Sequence, residues 1–292
     1  MKKILHTRKC YNITIKVICS FALMAIIPLA WTSDAKRPLV VTSIKPLAII
    51  AHSALGNSAN VDFILPPGQS PHDAVATISA VKKLNTADKI VWIGSNFEVR
   101  VAKQISSFPE SKLITGIELL PQNKTTSHQD AHGHYEIDPH IWLSPYIANQ
   151  IAKKLQQAFG LPVQDIFTKN DHERISTLLA SAKNNYFISH HDAIGYFIEA
   201  FDLMPPLSIR DGMGEQQGIK TQLRLRQQAQ ELNAHCILVE PQHGHKDAMR
   251  IAKDLNLPLI EFDIQGLDQP LKQMTYVSYI EAIANQLLTC FE

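Results

Sequence analysis

Four of the thirteen histidines fall within thirteen residues, at His128, His132, His134 and His140. Imidazole nitrogens ligate borderline-soft ions such as Zn2+, and they move protons near neutral pH. His128, His132 and His134 lie in SHQDAHGHYE, a segment with no apolar periodicity. They read as a flexible, solvated loop that gathers metal only loosely. His140 is placed differently. It follows Asp138-Pro139, where the ring fixes φ and favours a turn, and it precedes the apolar run Ile141-Trp142-Leu143. A histidine held at the mouth of a packed element is a candidate metal ligand.

His140 needs partners, and three other places supply them. His72 closes the loop PPGQSPH, which three prolines and a glycine make stiff. Taken alone it reads as a turn or cap residue, and Asp73 beside it reads as a cap for the following helix. His190-His191-Asp192 ends an apolar run, so that one histidine faces a cleft while the other packs or points away. Asp263 ends another run and is followed by Gly266 in a loop.

The elements that must position these residues alternate. Leu39–Ser43, Val61–Leu65, Lys89–Ile93 and Lys112–Thr115 read as strands, and Pro46–Leu55, Ala76–Ala87 and Asn96–Ile105 read as helices. A second series has strands at Tyr186–Ser189, Pro206–Ile209, Cys236–Val239 and Leu259–Phe262. Its helices fall at Ile194–Ala200, Gln217–Asn233, Lys246–Leu255 and Gln273–Leu288. Between the two series, Ile147, Ile151, Leu155 and Phe159 form a helical stripe stopped by Gly160, and a second helix runs from a capping Asp171 to Ala182. This pattern predicts an α/β protein with two parallel-sheet lobes, 36–145 and 183–292, joined by bridging helices over 146–182. Ligands collect beyond the carboxyl ends of such strands. His72, His140, His191 and Asp263 are all expected there, two from each lobe.

The first 35 residues read as a signal peptide. Lys2, Lys3, Arg8, Lys9 and Lys16 precede the apolar run Val17–Ala30, which is short for a membrane span, and Ser33-Asp34-Ala35 supplies a cleavage site. Cys19 sits too early in that run for a lipid-attachment cysteine. The remaining 257 residues carry 23 basic against 26 acidic side chains, a net charge of −3. There is no basic stripe for nucleic acid and no further segment that would cross a membrane. Cys236 and Cys290 are the cysteines that stay after cleavage, and an even pair in an oxidising compartment reads as a disulfide.

Three imidazoles and a carboxylate suit tetrahedral Zn2+, with Zn–N near about 2.0–2.1 Å. A zinc-dependent hydrolase is the rival class, since Asp73, Asp192 and Glu240 are carboxylates that could serve as a base. Against it, the chain has no HExxH, no paired His-x-His among the four positions and no Gly-x-Ser-x-Gly elbow.

Taken in order, PPGQSPHD, DPHIWLSP, HHDAIGYF, VEPQ and FDIQGLD resemble the metal-binding receptors of bacterial ABC importers, specifically the zinc branch. The resemblance covers essentially all of the chain after the leader. It implies two (β/α)-type lobes joined by a long rigid helix, with His72, His140 and His191 as ligands and Asp263 as the family's carboxylate. A manganese or iron receptor of the same fold is the nearer alternative, but that branch resembles a pattern with glutamate in place of the histidine before Asp192-Ala193. The resemblance also implies a Cys236–Cys290 disulfide and an accessory histidine loop, here only His128, His132 and His134. It further implies a monomeric, non-enzymatic periplasmic protein whose transported ligand is Zn2+, with an inner-membrane permease and its ATPase as partners. Two departures matter. Pro71 stands where the zinc branch often has an acidic residue, which leaves Asp263 or a water as fourth ligand. The stretch from Pro145 to His191 is about ten residues shorter than usual, about 15 Å of helix, so the bridge is expected to be shorter or broken at Gly160-Leu161-Pro162.

Overall fold

The computed structural model describes residues 36–292, except 67, 122–126, 130–134, 243 and 268. The leader therefore lies outside the described residues. Arg37–Glu292 form one compact unit, and no helix among the described residues is long and apolar enough to cross a membrane.

The first half builds a parallel sheet from β1 (Leu39–Thr42), β2 (Asn60–Phe63), β3 (Lys89–Trp92) and β4 (Leu113–Thr115), in the order β2-β1-β3-β4. Val41 faces Asp62 on one side and Ile90 on the other. Its helices are α1 (Lys45–Leu55), α2 (Ile78–Thr86) and α3 (Val99–Ile105). Leu47, Ile49 and Ile50 of α1 are all fully buried, the signature of a helix packed on every side. Thr77 caps α2 by accepting the amide of Ala80 at 3.2 Å. Asp73, expected to be that cap, is exposed four residues earlier, where its amide donates to Ser70 O.

A short antiparallel hairpin follows, β5 (Ser127–Gln129) with β6 (Tyr135–Ile137). For His128 it corrects the expectation of a plain loop, because Ser127–Gln129 pair in antiparallel register with Tyr135–Ile137, and backbone pairing needs no apolar periodicity. His132 and His134 lie outside the described residues.

The helical stretch between the two sheets is interrupted. Helix α4 (Pro145–Ala158) is started by Ser144, whose hydroxyl accepts from Ile147 N, with Pro145 in the first turn. It ends before Gly160, at φ 64°. Helix α5 (Lys169–Leu178) begins at Thr168, not at Asp171; Asp171 is the third residue of a capping box. The segment between them is tied back onto α4. Asn149 Oδ1 accepts from Ile166 N and Phe167 N at 2.9 and 3.1 Å, and Gln156 Oε1 accepts from Gln164 N at 2.9 Å. Two short helices thus replace the long one that the resemblance implied.

The second half repeats the first. β7 (Ile188–His191), β8 (Leu207–Arg210), β9 (Ile237–Val239) and β10 (Leu259–Glu261) form a parallel sheet in the order β10-β9-β7-β8. Counted from its own first strand, this is the order of the first sheet. Its helices are α6 (Gly195–Phe201), α7 (Ile219–Glu231), α8 (Lys246–Leu255) and α9 (Tyr276–Leu288). One hydrophobic core runs from β1 and α1 through α4 to Phe197, Phe262 and α9, and a smaller one covers the other side of the second sheet around Ile188, Ile209, Leu225 and Ile251. Cys236 and Cys290 form a disulfide with Cα atoms 5.4 Å apart, fastening the start of β9 to the residues after α9.

Candidate metal centre

The structure brings His72, His140 and His191 together. Each offers one ring nitrogen, and the three nitrogens lie within 4.8 Å of one another. The ring centroids are 4.9 Å apart for His140 and His191, and 5.7 Å from His72 to each. Tetrahedral ligands about 2.05 Å from Zn2+ stand about 3.3 Å apart, so a shift of at most about 1.5 Å in any pair would bring the three nitrogens to that spacing.

Each histidine arrives by a different local route. His72 follows β2 by nine residues in the proline-rich loop and is half-buried. The ring of Phe97 stands edge-on to it at 4.4 Å. Phe97 is itself held by the turn after β3, where the Glu98 carboxylate accepts the amides of Ile93 and Gly94 at 2.9 and 3.1 Å. Burial pushes Glu98 up to about 7, against the lowering pull of Ser43 and those two amides.

His140 is not at the end of a parallel strand, as the sequence suggested. It stands between the hairpin and the 3-10 turn Ile141–Leu143. Asp138 Oδ1 accepts both the His140 amide, at 2.9 Å, and its Nδ1, at 2.7 Å. The spacing is that of an Asx turn, the signal in Asp138-Pro139-His140 that a reading of Asp138 as turn former alone passes over. Tyr196 Oη donates to Asp138 O at 3.0 Å. Trp142 packs 5.1 Å from the His140 ring, and its indole donates to Ile264 O at 3.1 Å. Tyr276 donates to Trp142 O and Tyr279 to Ile264 O, which binds this turn to α9. Burial lowers the His140 pKa, opposed by Asp138 and assisted by His191.

His191 is the last residue of β7. Its Nδ1 donates to Glu240 Oε1 and its Nε2 to Gly212 O, both at 3.0 Å. A ring that donates from both nitrogens carries both protons. Burial works against that charge, but Glu240, Gly212 O and Asp192 outweigh it and raise the His191 pKa. His190 points to the other side of the strand, as one of the pair must. Its Nε2 donates to Asp247 Oδ1 at 2.8 Å, and Arg210 donates to the other Asp247 oxygen at 2.8 Å.

Asp263 is buried two residues beyond β10. Its two carboxylate oxygens accept the amides of Gln265, at 2.8 Å, and Leu267, closing the turn there. The three-histidine group does not include it. The turn is anchored from the first half by Lys45, whose ammonium donates to the carbonyls of Gly266, Leu267 and Gln269. His245 donates to Glu240 O at 2.8 Å, and His243 lies outside the described residues.

Beside the histidines opens a cavity of about 690 Å3 lined by Gly94, Phe97, Val99, Ile137, Pro139 and Met213, among others. The donors around the three rings are nitrogen ligands with carboxylate support at two of them, which is the chemistry of a zinc site.

Residues 40–161 and 168–290 match the family model "Zinc-uptake complex component A periplasmic". The chain is 27% identical over 290 residues to the high-affinity zinc uptake system protein ZnuA of Yersinia pestis, covering 87% of this chain and 91% of that one. It is 28% identical over 179 residues to the zinc-binding lipoprotein AdcA of Streptococcus pneumoniae, covering 54% and 36%. A crystal structure of ZnuA superposes with a TM-score of 0.71 at 20% identity, covering 86% of this chain and 98% of that one. The periplasmic zinc-binding protein TroA of Treponema pallidum does so with 0.70 at 18% identity, covering 87% and 99%.

Proposed function

The chain belongs to the periplasmic component A family of zinc-uptake complexes, and from that premise we propose that it captures Zn2+ between its lobes and delivers it to an inner-membrane ABC importer. The observation that carries this reading is the convergence of His72, His140 and His191 from three separate elements. We read 36–145 and 183–292 as the lobes and 146–182 as the bridge. The protein acts in the periplasm as a monomeric receptor, not as an enzyme, and hands the ion to a permease driven by its ATPase.

His72, His140 and His191 are the ligands in this reading. The fourth position falls to Asp263 or to a water, and the amide bonds that hold both Asp263 oxygens favour the water. Three imidazoles select Zn2+ over Mn2+, which calls for more oxygen donors. Calorimetric zinc titration of H72A, H140A and H191A tests the assignment, with strong weakening expected for each. Undiminished affinity in H140A would sink it. Metal analysis of protein taken from the periplasm tests the cargo, and manganese or iron retained in preference to zinc would overturn it.

A further inference from the structure

We propose that Glu240 is a positioning residue for the metal site. Its carboxylate fixes the orientation and tautomer of His191, so that the ring presents Nε2 to the ion and the Gly212 carbonyl is the partner that the ion displaces. This inference rests on the reading of the three histidines as a zinc site.

The sheet itself places the pair. Ser189 of β7 stands level with Leu238 of β9. Two residues further along both strands come His191 and Glu240, and in a parallel pair such positions project to the same side. His190, one residue earlier, projects to the other side, where Asp247 and Arg210 receive it. Glu240 is buried, 5% exposed, and Oε1 accepts His191 Nδ1 at 3.0 Å. Its other oxygen accepts the Gln242 side-chain amide, which stops the carboxylate from swinging away. The field of Glu240 also reaches His140, so one buried charge acts on two of the three rings.

Both His191 nitrogens are engaged, so a metal ion must displace one partner. The bond to Glu240 joins a cationic ring to an anionic carboxylate, whereas the bond to Gly212 joins it to a neutral carbonyl, so the Gly212 bond yields first. The turn that carries Gly212 keeps its own support when that happens. Asp211 Oδ1 accepts Met213 N and Glu215 N at 3.0 and 2.8 Å, and Asp211 O accepts Gly214 N at 2.9 Å. The loaded arrangement of His191 then matches His140, whose Nδ1 already donates to Asp138. A ligand histidine buttressed by a carboxylate is a recurrent device of zinc sites, and loss of the buttress typically weakens binding by roughly 10–100-fold.

The test compares E240A, E240Q and H140A with the wild-type chain. Zinc affinity is measured by competition titration, and 15N NMR of the histidine rings identifies the nitrogen that takes the metal. E240A should lose roughly 10–100-fold in affinity, and E240Q, which can still accept from Nδ1, should recover most of it. In wild-type protein Nε2 of His191 should take the zinc signature while Nδ1 stays protonated. Zinc on Nδ1, or wild-type affinity in a folded E240A, overturns the proposal. Should E240A fail to fold, E240Q and the wild-type spectrum decide alone. If zinc binding survives H140A, the metal-site reading itself fails; if H140A destroys binding while E240A leaves it unchanged, only the role of Glu240 fails.

Discussion

The two sheets share one strand order, counted from the first strand of each, yet they deliver their histidines in different ways. The second presents His191 from within β7, fixed by the register of its neighbours, with Glu240 one residue past β9. The first presents His72 from a loop nine residues past β2, steadied by prolines and by the edge of Phe97. One histidine is set by the ladder and the other by a loop. The halves also differ in what holds them. The second carries a covalent staple, whereas the first relies on a buried carboxylate, Glu98, to fix the turn after β3. Equal topology thus supports two different ways of fixing a histidine.

The largest expected effect tests the staple. C236S/C290S opens a link across 54 residues, and on the chain-entropy model this costs about 4 kcal/mol. Urea denaturation should show that loss, and an unchanged midpoint would remove the contrast between the halves. Glu98 comes next. Its folded pKa is raised from 4.5 to about 7, so the folded chain keeps a proton that the unfolded chain loses in between. The stability this gives is full below pH 4.5 and is lost as pH rises through 7, about 3 kcal/mol in all. Denaturation at pH 5 and pH 8 should show this decline in wild-type protein and a flatter profile in E98Q; equal slopes would refute it.

Ligand removal sharpens the comparison itself. H140A and H191A should each weaken zinc binding at least a hundredfold, about 2.7 kcal/mol, with H72A the least affected of the three because its loop-borne position is the most easily replaced by water. A smaller effect follows from the opposed shifts of the two buried rings. His140 is held neutral by burial, while His191 keeps its proton above the ordinary histidine range. Zinc should therefore displace protons chiefly from His191, and affinity should fall as pH drops through that raised value. Titration in buffers of different ionisation enthalpy measures the proton count. The smallest effect belongs to the histidine-rich segment before Asp138: replacing His128, His132 and His134 together with alanine should leave the cleft affinity within about twofold.

Much of this was legible in the chain. The alternation of β-branched runs with helical stripes predicts both sheets, because strands buried on two faces read as short apolar runs. Element ends move by a few residues, as at α3 and at α2, where the Thr77 cap decides the boundary. His72 and His191 were readable from proline chemistry and strand ends. The partners of these histidines were harder to see. Asp138 and Glu240 matter through contacts that need the Asx turn or the register between two strands separated by 49 residues. The hairpin was missed because backbone pairing leaves no periodic trace in polar residues. The Lys45 contacts with the Gly266 turn join residues more than 220 apart, which no local pattern encodes.

Trp142 has one more consequence. Its indole lies against the His140 ring with its N–H bonded to Ile264 O, so it is fixed in orientation and shielded from water. The other tryptophan among the described residues, Trp92, donates to Thr115 across the first sheet. Arrival of a dication at His140 changes the electric field at the Trp142 indole packed against that ring. Tryptophan emission is therefore expected to change on zinc titration of the unlabelled protein, and an unchanged spectrum would refute this.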